Sequence, residues 1–78
     1  MIPGSLCVCL SALWIDHPEG MGREEMMVKG NVFTVLRLVR AHRYAEHSWE
    51  LYEILTEDRG VMWLDVNIEA YVGFRIIA

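Results

Sequence analysis

Cysteine is scarce in this chain of 78 residues, which has only Cys7 and Cys9. A small secreted domain held together by disulfides needs several cysteine pairs, so this count excludes such a framework. Two cysteines separated by one residue on a strand also lie too far apart for an unstrained bridge. We therefore predict free thiols that pack as small apolar side chains, in a reducing and cytoplasmic setting.

A long hydrophobic run is also missing. The apolar stretch 6–15 covers ten positions, whereas a membrane-spanning helix needs ~20. The stretch has no basic flank and no small-residue cleavage site, which distinguishes it from a signal peptide. We interpret it as a buried strand, and whether residues 1–20 belong to the core or lie at its periphery stays open.

Motifs for catalysis and cofactor binding are absent as well. The chain has no glycine-rich phosphate loop and no GxSxG nucleophile turn. His42 and His47 lie close to an inverted zinc motif but have one residue too many between them, so the two imidazoles would diverge on a helix. We predict no catalytic residues, no metal site, no cofactor and no enzymatic activity, although metal binding by the two cysteines stays open.

Apolar residues, in contrast, are abundant. They make up 54% of the chain and include three tryptophans, which is enough to build a core for a single small domain over 1–78. A domain of this size buries only ~60% of the surface of its unfolded chain. We therefore expect an exposed apolar patch that meets a partner or a second copy, which makes a protein–protein interaction module or a homodimer the favoured class.

Charge is segregated along the sequence. Residues 29–43 contain four basic residues and no acidic one, whereas residues 46–69 contain seven acidic residues and one basic residue, Arg59. The net charge of −4 argues against non-specific binding of nucleic acid. The segregation instead predicts one surface for anions and another for cations.

Residues 44–58 show the clearest periodicity. Four carboxylates recur at intervals of four, three and four residues, which confines them to a sector of about 60° on an α-helix. They are Glu46, Glu50, Glu53 and Glu57. The opposite side of the helix would carry the apolar residues Leu51, Tyr52 and Leu55. The pattern predicts an amphipathic helix over 44–58.

The segment 31–40 allows two interpretations. Its β-branched residues, and a two-residue turn at Gly30-Asn31, favour a strand. With Asn31 as the N-cap, the same segment would form a helix with an apolar stripe. The expected fold class is α+β, in two layers, with the helix 44–58 packed on a mostly antiparallel sheet of four to five strands.

The line of carboxylates leads to a functional hypothesis. Residues four apart on a helix rise by about 6 Å, close to the spacing of phosphates along a nucleic-acid strand. The helix would then act as a nucleic-acid mimic, an acidic inhibitor that occupies a basic surface of a nucleic-acid-binding partner. The plainer interpretation is a solvated face.

The alternative function belongs to a different class. A nucleic-acid-binding regulator would grip phosphates with the basic residues of the preceding segment. These are Arg37, Arg40 and Arg43.

Overall fold

Strands account for all of the regular structure described here. A computed structural model describes residues 1–70 and 72–78, and of residues 20 and 21 the backbone alone; this part of the chain has seven strands and no helix. The strands are β1 (Leu6–Cys9), β2 (Leu13–His17), β3 (Gly20–Met27), β4 (Val32–Tyr44), β5 (His47–Thr56), β6 (Gly60–Asn67) and β7 (Phe74–Ile76). The predicted α+β class and its helix over 44–58 are therefore wrong. In the described residues no helix is long and apolar enough to cross a membrane.

The seven strands form one antiparallel sheet in the order β3-β2-β6-β5-β4-β1-β7. The sheet curls into a half-barrel, so that its inner face encloses the core. A second layer of helix is unnecessary because the curled sheet covers its own apolar face. The sheet has seven strands where four to five were expected.

The N-terminal strands belong to the core. Cys7 and Cys9 of β1 and Ile15 of β2 are at most 1% exposed and pack in the same cluster as Phe33 of β4. β1 and β2 thus both contribute side chains to the core. The predicted single strand over 6–15 is in fact two strands, β1 and β2, which lie in opposite halves of the sheet.

Both cysteines are free and buried, as predicted. Burial in the apolar core disfavours the thiolate and raises the pKa of Cys7 and of Cys9. Neither thiol is therefore in an environment that activates a nucleophile.

The two ends of the half-barrel approach each other at Gly73, just before β7. A Cβ atom placed on Gly73 would lie 2.6 Å from Cδ2 of Leu13 on β2, and the φ of Gly73 is +90°. The positive φ favours glycine, and a side chain at this position would also have to displace the end of the Leu13 side chain.

A long hairpin replaces the predicted helix. β4 and β5 pair from Phe33 with Thr56 to Tyr44 with His47, and the turn between them consists of Ala45 and Glu46. Both turn residues have positive φ, 50° and 65°, the signature of a type I′ hairpin turn. The strand interpretation of 31–40 is thereby the right one, although β4 pairs with β1 and β5 and not with the residues just before Gly30.

Candidate functional site

The four glutamates of the predicted helix do not share a surface. Glu46 lies in the hairpin turn, and Glu50 points to the inner face, where it accepts a hydrogen bond of 2.6 Å from the Tyr52 hydroxyl. Glu53 points to the outer face and Glu57 accepts a hydrogen bond of 2.7 Å from the Val32 amide. A strand alternates its side chains between two faces, so the line of carboxylates expected on a helix does not form.

The three arginines of β4 are also divided. Residues directly opposite each other on paired strands share a face. Arg37 lies opposite Glu53 and Arg40 lies opposite Leu51, two outer-face positions, whereas Arg43 lies opposite Ser48 on the inner face. The predicted cationic set therefore places two members on one side of the sheet and one on the other.

Two β-bulges in β4 bring Arg37 and Arg40 to the same face. The register between β4 and β5 shifts after Val35 and again after Leu38, which leaves Leu36 and Val39 as the extra residues. Without the second bulge, two residues three apart on a strand would point to opposite sides. The bulges thus create a local pair of outer-face cations that regular alternation would not produce.

Hydrogen bonds already occupy two of these arginines. Arg37 Nε and Nη2 donate to the two carboxylate oxygens of Glu53 at 3.2 and 3.3 Å. Arg43 donates to Ser48 Oγ and to the Glu46 carbonyl. In the part of the chain that the structure describes, Arg40 has no carboxylate within 4 Å. Of the three arginines of β4, Arg40 is therefore the one best placed to meet an external anion.

Each of the three histidines pairs with a carboxylate. His42 Nε2 lies 2.9 Å from Asp65 Oδ1, and His47 Nδ1 lies 2.8 Å from Glu69 Oε2. The third pair links the last residue of β2 to β3 and consists of His17 and Glu25. Within residues 1–70 and 72–78 no three histidine, cysteine or carboxylate side chains gather as ligands around one point. These contacts tie neighbouring segments together at the surface.

We define residues 36–44 as the free edge of β4, an unpaired edge on a strand inside the sheet order; the terminal strands of the described sheet, β3 and β7, also have one unpaired side each. On this side, β4 is paired with the N-terminal segment only as far as Val35, whose amide donates to the Ser5 carbonyl and whose carbonyl accepts from the Gly4 amide. Beyond Val35 no described strand pairs with this side of β4. Seven of these nine residues are in register with β5, and seven positions at ~3.4 Å each make an edge of roughly 24 Å, long enough to hold an additional strand of typical length.

The hairpin register shows which backbone groups of the free edge point outward. Tyr44 and His47 flank the two-residue turn and form the hydrogen-bonded pair that closes it. Backbone groups alternate in direction along a strand, so those of His42 also point toward β5 and those of Ala41 and Arg43 point away. The amides of Ala41 and Arg43 are thus available to an added strand.

An apolar hollow lies where the free edge begins. It has a volume of about 580 Å³ and is lined by residues 1–5 together with Ile76 and Ala78. The side chain of Ile2 is 72% exposed there, and Leu38 on the adjoining part of β4 is 45% exposed. The free edge therefore ends beside an open apolar surface.

Sequence reasoning did not find this edge. The contact between β1 and β4 joins residues 24 to 28 positions apart, and no local pattern reports where it stops. The sequence feature that could have indicated the edge is the run 36–44, which contains three arginines and no carboxylate, because charged side chains often protect an exposed strand edge.

Comparisons with protein-family models, with curated proteins and with solved structures return no match for this chain. The functional argument therefore depends on the geometry alone.

Proposed function

We propose that this protein is a non-enzymatic protein-interaction module that binds an extended segment of another protein as an added strand on the free edge of β4. The observation that carries the proposal is the nine-residue stretch of β4, residues 36–44, that has no described strand paired with it on one side. Backbone amides and carbonyls along such an edge are strong hydrogen-bonding groups that a partner strand can satisfy.

The position of the edge supports this function. It belongs to a hairpin anchored in the core by Phe33, Val35 and Ile54, so the template for the added strand is rigid at one end. Main-chain hydrogen bonds supply affinity in strand addition, and side-chain contacts with alternate residues supply specificity. A reducing, cytoplasmic setting fits the two free thiols.

The other hypotheses receive less support. The acidic-inhibitor form required four carboxylates on one surface, those of Glu46, Glu50, Glu53 and Glu57. The carboxylates of three of them, Glu50, Glu53 and Glu57, accept hydrogen bonds in separate parts of the molecule. The nucleic-acid alternative required Arg37, Arg40 and Arg43 as a set, and these lie on two faces. A partner that adds a strand binds the backbone of β4, so its binding does not depend on how the glutamates or the arginines are divided between the two faces.

The test uses a random peptide display library selected on the purified protein. Amide hydrogen exchange followed by NMR would then show whether a selected peptide slows exchange at Ala41 and Arg43, the two outward amides. The variant Ala41→Pro removes one outward donor while leaving the pairing with β5 intact, because proline is tolerated where the N–H faces solvent. We expect it to lose binding.

The control is Ala41→Thr, which keeps the N–H and suits a strand. It should bind as the unaltered protein does. If no selected peptide protects these amides, or if Ala41→Pro binds as well as Ala41→Thr, strand addition at this edge is wrong.

A further inference from the structure

We infer that the segment bound at the free edge of β4 alternates acidic and apolar residues and ends in a large apolar side chain. Its acidic side chains lie on the outer face beside Arg40, and its apolar side chains lie on the inner face beside Leu38. The terminal apolar residue occupies the hollow next to Ile2. This inference rests on the proposed function and specifies the chemistry of the partner.

The outer face selects acidic residues. The free edge carries three arginines and no carboxylate of its own. Arg40 is exposed on the outer face, and no described carboxylate pairs with it. Opposite charges at directly facing positions of neighbouring strands stabilise the pairing, so an acidic residue is favoured at this position of an added strand.

The inner face selects apolar residues. Leu38 lies opposite Tyr52 on this face, and the Tyr52 hydroxyl reaches the Met1 carbonyl at 3.4 Å, beside the hollow. Glu50 lies on the same face opposite Ala41. Arg43 is on this face too, but it lies at the turn end of the edge, where it donates to Ser48 Oγ and to the Glu46 carbonyl. Between Ala41 and the hollow, a carboxylate on the inner side of an added strand would meet the like charge of Glu50, whereas an apolar side chain would cover Leu38 and Ile2.

The charge pattern disfavours a second copy of this chain as the occupant. Two free edges paired antiparallel about their centre would place Arg40 of one copy directly opposite Arg40 of the other, both on the outer face. Like charges at facing positions destabilise a strand pair. We therefore assign the edge to a different protein with an acidic extended segment.

The experiment uses synthetic peptides as long as the free edge, with blocked ends. The test peptide alternates glutamate and valine and ends in phenylalanine. One comparison peptide replaces each glutamate by lysine, and another has the same composition with the acidic and apolar residues in separate blocks. Binding is measured by calorimetry at two salt concentrations, and the site is read from exchange of the Ala41 and Arg43 amides.

We expect the alternating acidic peptide to bind at least about tenfold more tightly than the lysine peptide, since attractive charge pairs replace repulsive ones. It should also bind more tightly than the block peptide. Arg40→Gln should weaken its binding several-fold and reduce the dependence on salt. The matched control Arg23→Gln removes an exposed arginine from β3, which is separated from β4 by three strands, and should leave binding unchanged.

The outcomes separate this inference from the proposed function. If selected library peptides protect the two amides but the acidic peptide has no advantage over the lysine peptide, the partner chemistry is wrong and strand addition stands. If no peptide of either kind protects them, both are wrong. A dimer seen by light scattering that Ala41→Pro dissociates would instead identify a second copy as the occupant and overturn the inference.

Discussion

Substituting Gly73 by alanine tests how the two ends of the half-barrel meet. The new methyl group would lie 2.6 Å from Leu13 Cδ2 and 3.2 Å from Ser11 Oγ. Gly30 provides a matched comparison, because its φ of +93° is nearly that of Gly73 and no atom lies within 4 Å of its hypothetical Cβ. The difference between the two variants therefore isolates the steric contact from the backbone strain.

The magnitudes follow from these two contributions. An alanine in the left-handed region costs about 1–2 kcal/mol, and this applies to both sites. The loss of unfolded-chain entropy on replacing glycine by alanine also applies to both and cancels in the comparison. Leu13 packs against the core, so displacing it costs a further ~1–3 kcal/mol. We expect a loss of about 1–2 kcal/mol for Gly30→Ala and about 2–5 kcal/mol for Gly73→Ala.

Urea unfolding followed by tryptophan fluorescence measures both losses, with the free energy of unfolding obtained by linear extrapolation. Each kcal/mol should also lower Tm by about 4–8 °C in a domain of this size. Adding Leu13→Ala to Gly73→Ala makes room for the methyl group, so the double variant should lose less stability than the sum of the single ones. Equal losses for Gly30→Ala and Gly73→Ala would show that the ends of the sheet do not meet in this way.

Other consequences concern the core and the surface pairs. Phe33→Ala should reduce the free energy of unfolding by ~3–5 kcal/mol, since Phe33 is buried and contacts another ring, whereas Leu55→Ala at a position 46% exposed should change it far less. The two cysteine thiols should react with a disulfide reagent only when the protein unfolds, because both are buried with a raised pKa. The hydrogen bond from His47 lowers the pKa of the Glu69 carboxyl group in the folded protein. The stability that this bond contributes is therefore complete above the pKa that Glu69 has in the unfolded chain, and it is lost as the pH falls through the lower pKa of the folded state. NMR titration of the Glu69 carboxyl carbon should give a midpoint that rises in His47→Ala.

The helix was predicted because the four glutamates and the apolar residues of 44–58 recur with a helical period, and β5 imitates that period because apolar residues occupy both of its faces. Tyr52 and Ile54 point into the core, but Leu51 points outward and is still only 8% exposed. Adjacent buried residues break the two-residue alternation expected of a strand and imitate a helical repeat. The sequence of the turn before β5 did not indicate a hairpin either, since Ala45 and Glu46 are not the glycine or asparagine that a type I′ turn prefers.

Structural features that follow from the chemistry of one residue could be predicted from the sequence. The two cysteines pack as free, buried side chains, and Gly73 marks a close approach, because each property follows from the size and chemistry of that residue. The free edge of β4 depends instead on where a distant strand stops pairing. Such a boundary is set by tertiary contacts between remote segments, which local periodicity does not encode.

The bulges in β4 have a consequence for tolerance to deletions. Leu38 and Arg40 face consecutive residues of β5, Tyr52 and Leu51, so Val39 is surplus to the register. Removing Val39 would leave every later pairing, and the face of every later side chain, unchanged. Removing a residue from a regular part of the same strand, such as Thr34, would move all the residues on one side of the gap to the opposite face. Length variation in this hairpin should therefore be confined to Leu36 and Val39, where one residue fewer makes the strand more regular.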